Sequence, residues 1–390
     1  MPIASPLHVG PVIALCEPEG IFDRKKQMIA REFHLKHHAV FGEVNGAEVV
    51  SHYGDALAEH AALCQAAGLL DLSFRSRFCL GGADRIRFLN GQVTNNVKDL
   101  ATGEGCYAAL VTAKGKLESD LSIYRLPNEL LLDFEPGMGP AVAQRLEKYI
   151  IADDVQVVDV SPHYGLLSIQ GPLAVRAIQG ALPAIAAPAK PWGYTLLPDK
   201  TAGEVYLMNR PRTGSMGFDL FAPMGVLPEW IESMAAAVRM LNGRICGWQA
   251  LDLARFEAGI PRYGVDMDES NLVLETGMEE QAISYHKGCY IGQEVIARVH
   301  SHGQVTKALT GLRLADDLPA LPRAGDKLNW GNQEVGYVTS AYFSPLFKAN
   351  LALGYVRSEA SQPGAELAWR NSAGNGAGKI VRLPFAKNWS

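Results

Sequence analysis

The sequence predicts an α+β protein closed at its C-terminus by a small all-β unit. Three observations carry this reading. The chain has 390 residues, which at roughly 150 residues per domain makes two or three domains. Up to about residue 300, short strand-like apolar runs are mixed with runs whose apolar residues recur at helical spacing. After that the strand-length segments Ala308–Leu314, Glu334–Ser340, Leu351–Val356 and Lys379–Leu383 alternate with Pro- and Gly-bearing turns, and no helix of any length is evident. The shift places a domain boundary near Ser301–Thr306.

Taken in order, the first clear element is a helix over Asp55–Ala67. Asp55 can cap it, Leu57, Ala61 and Cys64 share a face, and Gly68 ends it. The apolar stretch Leu69–Leu72 follows, and Ser73–Arg77 is polar enough to cross between substructures. Asp84 caps a short helix through Ile86, Arg87 and Leu89, closed by Gly91. Cys106–Ala113 and Lys116–Leu126 are strand-like and meet at Lys114-Gly115, which predicts a hairpin. On the second run Ser119 interrupts the alternation of Leu117, Leu121 and Ile123, and the face holding Glu118, Asp120, Ser122 and Tyr124 is the polar one. A strand at Glu129–Phe134 precedes a helix at Ala141–Ile151. Strands at Val155–Val160 and Gly165–Gln170 come next, and Gly171-Pro172 opens a helix through Leu173, Ala177 and Ile178. The Ala- and Pro-rich segment Pro183–Pro191 reads as a surface loop. Pro228 starts a helix with the stripe Trp230, Ile231, Met234, Val238 and Leu241, stopped by Gly243. Gly247–Ala258 is another, with Leu251 and Arg255 one turn apart on one face.

Composition narrows the function. Hydrophobic residues make up 48% and charged residues 20% of the chain, ordinary for a globular protein. The net charge of -5, from 36 basic and 41 acidic side chains, gives no reason to expect a nucleic-acid binder, which needs clustered Lys and Arg. No apolar run reaches the roughly 20 residues of a membrane helix. The segment Met1–Gly20 has no basic region ahead of Val9–Leu15, is followed by Glu17 and Glu19, and contains no Arg, which argues against a signal or transit peptide. The six cysteines, at 16, 64, 79, 106, 246 and 289, are scattered rather than paired at metal or dithiol spacing. They read as reduced thiols, most of them small buried residues, in a cytoplasmic protein.

The most distinctive stretch is Lys287-Gly288-Cys289-Tyr290-Ile291-Gly292-Gln293-Glu294. Two glycines bracket Cys289 in a tight loop, and a helix starts at Gln293. A thiol just ahead of a helix N-terminus, with His286 and Lys287 nearby, sits where positive potential favours a thiolate, so Cys289 is the one cysteine with a physical case for reactivity. The plainer alternative is a small residue packed under the Tyr290 ring. His300-Ser301-His302 could join Cys289 as metal ligands, but they are only two apart with no fourth ligand, so a solvated turn is favoured and no metal site is assigned. His34, His37 and His38 read as a surface cluster.

KGCYIGQEVIAR resembles the signature of the YgfZ-type folate-binding proteins, whose eukaryotic relatives assist iron–sulfur protein maturation. Around it, AEHAALCQAAGLLDLS, FLNGQVTNNV, LLSIQGPLA, PRTGSMGFDLF, LARFEAGIPRYGVDMD and IVRLPF are similar to the wider superfamily of the glycine cleavage T-protein, an aminomethyltransferase. The likeness spans Ala58 to Phe385. It implies a three-lobed cloverleaf around a central opening: a discontinuous first α+β domain of residues 1–75 and 162–303, an inserted second α+β domain of residues 76–161, and a C-terminal β-barrel domain of residues 304–390.

The same resemblance implies a tetrahydrofolate site. The T-protein pattern of a glycine turn, two aspartates and a tyrosine falls on Gly115, Ser119, Asp120 and Tyr124, so the first aspartate is lost and the second retained. Asp120 and Tyr124 share a strand face about 13 Å apart, a span that suits an elongated ligand. The acid that meets the pterin ring falls on Asp219, since a carboxylate can accept two parallel N–H groups. The family arginine for the glutamyl tail falls on Leu251. Arg255, one turn on, is the candidate to replace it in that role, and Glu257 is retained beside it. Three functions are implied: a tetrahydrofolate-binding protein that assists iron–sulfur proteins or their assembly factors, with Cys289 at the cavity; a folate-dependent aminomethyl- or methyltransferase in which Asp120 positions the folate amine; and a scaffold that has lost its ligand.

Overall fold

The structure, a computed structural model, describes residues 30–197, 203–303, 305–372 and 374–388. The expectations for Met1–Gly20 and for Cys16 lie outside these residues. Helix α1 (Arg31–Lys36) leads into a hairpin of β1 (Val40–Val44) and β2 (Ala47–His52). Helix α2 (Ala56–Gln65) is capped by Asp55, whose carboxylate accepts from the Ala58 N–H at 3.0 Å. Gly68, expected to end that helix, already belongs to β3 (Gly68–Asp71).

The chain then leaves its first sheet. Strand β4 (Ser76–Gly81), α3 (Arg85–Gln92), β5 (Gly105–Val111), β6 (Leu117–Arg125), β7 (Leu130–Phe134), α4 (Gly139–Glu147) and β8 (Gln156–Asp159) form an inserted unit. Its antiparallel sheet runs β5-β6-β7-β4-β8. Gly115, at φ 71°, makes the expected hairpin turn between β5 and β6. The chain returns through β9 (Tyr164–Gln170), α5 (Ala174–Ala181), β10 (Tyr194–Leu197), β11 (Val205–Asn209), β12 (Gly217–Pro223), α6 (Leu227–Arg239), β13 (Arg244–Ile245) and α7 (Trp248–Glu257). These complete a sheet in the order β10-β11-β12-β9-β3-β13. Short α8 (Glu279–Ala282) and α9 (Gln293–His302) lead to β14 (Lys307–Leu314), β15 (Lys327–Trp330), β16 (Gln333–Ser344), β17 (Ala349–Arg357), β18 (Glu366–Asn371) and β19 (Gly374–Val381), which close a six-stranded barrel. The fold is therefore mixed α and β with a C-terminal β-barrel. Among the described residues no helix is long and apolar enough to cross a membrane.

Apolar clusters join these parts. Helices α5 and α6 cover one face of the first sheet through Ala177, Ile178, Ile231, Met234 and Val238. Its other face meets the inserted sheet and α7 in a cluster that holds Leu70, Tyr124, Leu131, Phe221 and Leu251. Apolar residues between Tyr263 and Ile296, a stretch grouped with the first domain on sequence, cluster with Tyr107, Val111 and Leu117 of the inserted sheet. Phe256 of α7 docks into the barrel among Leu309, Leu351 and Phe385.

Two sequence expectations change here. His34 is fully buried, not on a surface cluster, because its ring nitrogens meet the Tyr53 hydroxyl at 2.7 Å and Asp71 Oδ2 at 2.9 Å. His300 lies in the last turn of α9 rather than in a loop, and pairs with Glu279 at 2.9 Å.

The crossings between the two sheets are held by Arg77. Its guanidinium is fully buried and donates to the carbonyls of Ser73 at 3.0 Å and Tyr164 at 2.6 Å, one on each connection. Removing it takes the shared donor from both connections. Arg77→Ala is expected to lower stability by about 3 kcal/mol or more, read from urea unfolding followed by circular dichroism.

Candidate functional site

Where the first sheet, the inserted sheet and the segment after the barrel converge, a cavity of about 630 Å³ opens. Strand β6 supplies Asp120, strand β5 supplies Tyr107, and Glu135 follows β7. Trp192, Arg210 and Arg212 come from the first sheet and its loops, Trp248, Leu251 and Arg255 from α7, and Leu383 from the chain beyond the barrel. The Pro183–Pro191 loop thus runs up to the cavity wall at Pro191.

Asp120 is enclosed. The Tyr107 hydroxyl donates to its Oδ2 at 3.0 Å, while Oδ1 is buried without a partner. Burial, reinforced by the negative charge of Glu135, pushes its carboxyl up to about 6, against the pull of Arg75 and the Tyr107 hydrogen bond. Tyr107 is itself held in place by stacking on Trp192, with ring centroids 5.8 Å apart.

Under the cavity runs a ladder of buried charges. Arg212 grips both oxygens of Asp219, with its Nη2 at 2.7 Å from Oδ2, and the same Nη2 reaches Asp133 Oδ2 at 2.9 Å. Arg75 donates to the other oxygen of Asp133 at 2.8 Å and to Glu135 at 2.7 Å. Burial alone would raise Asp133, but the two arginines hold it well below the usual carboxylate range.

Arg210 differs from its neighbours. Its guanidinium lies 4.2 Å over the Trp192 ring, Nη1 donates to the Pro211 carbonyl at 2.9 Å, and Nε is buried without a partner. Among the described residues it forms no ion pair with a carboxylate. Burial, with Arg212 nearby, lowers its affinity for its proton. Arg262 stands over Trp248 at 4.9 Å and is neutralised by Asp252 at 3.0 Å.

Known proteins share this domain organisation. A family model described as the GCVT N-terminal domain matches residues 30–287, and one described as the glycine cleavage T-protein C-terminal barrel domain matches residues 307–387. The chain belongs to the glycine cleavage T-protein family. The aminomethyltransferase of Thermoanaerobacter sp. (strain X514) is 27% identical over 352 residues, covering 88% of this chain and 93% of the relative. That of Halalkalibacterium halodurans is 29% identical over 331 residues, covering 84% and 89%. The crystal structure of the glycine cleavage system aminomethyltransferase T from Bartonella henselae aligns with a TM-score of 0.82 and 24% identity, over 92% of this chain and 97% of that one, a likeness of fold.

The residues expected from the T-protein pattern divide. Asp120 and Arg255 reach the cavity wall. Tyr124 does not: it is buried behind the wall, its ring 6.3 Å from Trp192. Asp219 does not either, because Arg212, seven residues earlier, folds back across the β11–β12 turn and occupies both its oxygens. Glu257 is spent on a structural joint. Its carboxylate meets His60 Nε2 at 2.5 Å, the Ser344 hydroxyl and the Leu346 N–H. Arg255 is matched by Asp252 and Asp266, with only its Nη2 unpartnered. Leu251 lines the cavity where the family arginine was expected.

Cys289 is exposed, neither on the cavity wall nor under Tyr290, whose ring is buried among Tyr263, Val273 and Ile296. Lys287 does not direct its charge at the thiol. Its ammonium donates to the carbonyls of Asn90, Val93 and Asn95 at 2.6–2.7 Å and caps the end of α3. Gly292 is required where it stands: its φ is 83°, and a Cβ there would come within 2.6 Å of the Thr112 carbonyl.

The residues that sequence reasoning missed are Arg75, Tyr107, Glu135, Trp192, Arg210, Arg212, Trp248 and Arg262. The one available signal was Asn209-Arg210-Pro211-Arg212, two arginines in a turn flanked by apolar runs.

Asp120 makes the site costly to fold. Its carboxyl moves from an ordinary 3.8 to about 6 in the native state, so between those pH values the native state binds more protons than the unfolded one and stability falls as pH rises. Above pH 6 the full penalty is present. Asp120→Asn is expected to be more stable than the parent by about 2–3 kcal/mol at pH 7.5 and to lack the decline between pH 4 and 6, as measured by denaturant unfolding across that range.

Proposed function

We propose that the cavity binds tetrahydrofolate and that the chain is a cytoplasmic folate-dependent one-carbon transferase of the aminomethyl or methyl type. The Asp120 carboxylate carries this reading: one oxygen is fixed by Tyr107, and the other is buried on the cavity wall without a donor. The likeness to aminomethyltransferases over most of the chain supports it. In the ionised state Asp120 accepts a hydrogen bond from a folate amine and offsets the positive charge that develops as that nitrogen takes up a one-carbon group. Its contribution is orientation and electrostatics rather than covalent chemistry. The volume suits a ligand of folate size, and the indoles of Trp192 and Trp248 offer flat surfaces to a pteridine or benzoyl ring. With Leu251 in place of the family arginine and Arg255 matched by two acids, Arg210 is the wall cation with charge to spare for the ligand's carboxylates.

Titration calorimetry tests the ligand. The wild type should bind tetrahydrofolate saturably and more tightly at pH 7.5 than at pH 5, because ionised Asp120 accepts from an N–H more strongly than the protonated acid does. Asp120→Asn and Arg210→Gln should each weaken binding about tenfold or more. Absence of saturation at millimolar ligand with folded protein would favour the ligand-free scaffold. Transfer from aminomethyl-loaded H-protein to tetrahydrofolate, well above background and lost in Asp120→Asn, is the expected activity.

A second reading, a YgfZ-type role in maintaining or assembling iron–sulfur proteins, is favoured by Cys289, an exposed thiol within KGCYIGQE. In that case Cys289→Ala keeps its folate affinity within about twofold yet fails to restore iron–sulfur enzyme activity in cells lacking the protein. Full restoration would remove the role.

A further inference from the structure

We infer that His60, Cys64 and Glu257 form a site for a zinc-class divalent cation at the joint between the first domain and the barrel. His60 and Cys64 stand one turn apart on α2 and so share a face, and Glu257 is the last residue of α7. The imidazole Nε2, the thiol sulfur and a carboxylate oxygen all lie within 4.8 Å of one another. Nε2 is 2.5 Å from Glu257 Oε2 and 3.4 Å from Cys64 Sγ.

The decisive detail is that both partners face the same ring nitrogen. A proton relay uses the two nitrogens of an imidazole in turn, with a base on one side and an acid on the other. Here the thiol and the carboxylate both meet Nε2, so one ring nitrogen faces two partners. A cation at the point where the three atoms converge serves all of them at once. Imidazole, thiolate and carboxylate are the ligand types of zinc sites, and three protein ligands leave a fourth position for water.

Tetrahedral coordination sets ligand atoms roughly 3.4–3.7 Å apart, so the sulfur is already at the right separation and the His60–Glu257 contact opens by about 1 Å. Binding releases the Nε2 and thiol protons to solvent, so affinity rises with pH. The carboxylate is oriented from behind: the Ser344 hydroxyl and the Leu346 N–H both donate to its other oxygen. His60 and Glu257 are buried, whereas Cys64 is only half-buried and gives the ion a way in. Because Ser344 ends β16, the ion would tie α2, α7 and the barrel together.

The full-length chain, stripped of metal by a chelator, is titrated with Co2+ at pH 7.5. One equivalent is expected to produce a thiolate-to-cobalt charge-transfer band in the near ultraviolet, abolished by added Zn2+. The band should vanish in Cys64→Ser and persist in Cys289→Ser, and Zn2+ should raise the melting temperature of the wild type but not of Cys64→Ser. Independently of any variant, Zn2+ should protect Cys64 of the wild type from iodoacetamide, as mapped by peptide mass. Absence of the band, its persistence in Cys64→Ser, or alkylation of Cys64 at an unchanged rate would overturn the assignment.

Discussion

The charge ladder of Asp219, Arg212, Asp133, Arg75 and Glu135 is the interaction on which the rest of the site depends. It joins β12 of the first sheet to β7 of the inserted sheet, so it is at once a bond between domains and the floor of the cavity. Buried charges are tolerated only when each is paired and hydrogen-bonded, and loss of one member strands its partner in a place water does not reach. Such a ladder leaves little freedom for the two sheets to slide. It also sets the electrostatics above it. Glu135 at one end raises the carboxyl of Asp120, and Arg75 partly opposes it.

Several basic residues hold the architecture through backbone carbonyls rather than ligands. Arg77 binds the outgoing and returning connections of the insertion, and Lys287 closes the end of α3. Each is a long, charged side chain turned inward at a point where loops would otherwise leave acceptors unsatisfied. This explains why Cys289 stands in solvent without the cation that its neighbour in sequence appeared to offer. It also separates the cavity wall into cations consumed by the fold, such as Arg75 and Arg212, and Arg210, which retains its charge over Trp192.

Much of the architecture was legible in local pattern. The Asp55 cap, the Gly115 hairpin, the helix opened by Pro228 and the all-β C-terminus depend on short-range chemistry: a side-chain acceptor, a positive φ, a fixed proline ring, a change in apolar period. The two strands that flank Arg210 and Arg212 were not. Val205–Asn209 is buried throughout and Gly217–Pro223 at every residue but its last, and a short continuous apolar run has no period by which to recognise it. His34 was misplaced for a related reason: its partners, Tyr53 and Asp71, are remote in sequence.

By itself the sequence determined which residues carry charge or aromatic surface, where the chain turns, and that a carboxylate at position 120 lies on the polar face of its strand. Only the tertiary structure decided which of those groups remain available. Asp219 and Glu257 have the right chemistry to meet a folate but are turned away from the cavity by Arg212 and by His60 with Ser344, whereas Asp120 keeps an unpartnered oxygen. The physical reason is that availability is what remains after pairing. Pairing is a matter of distances between elements that the linear order of residues does not contain.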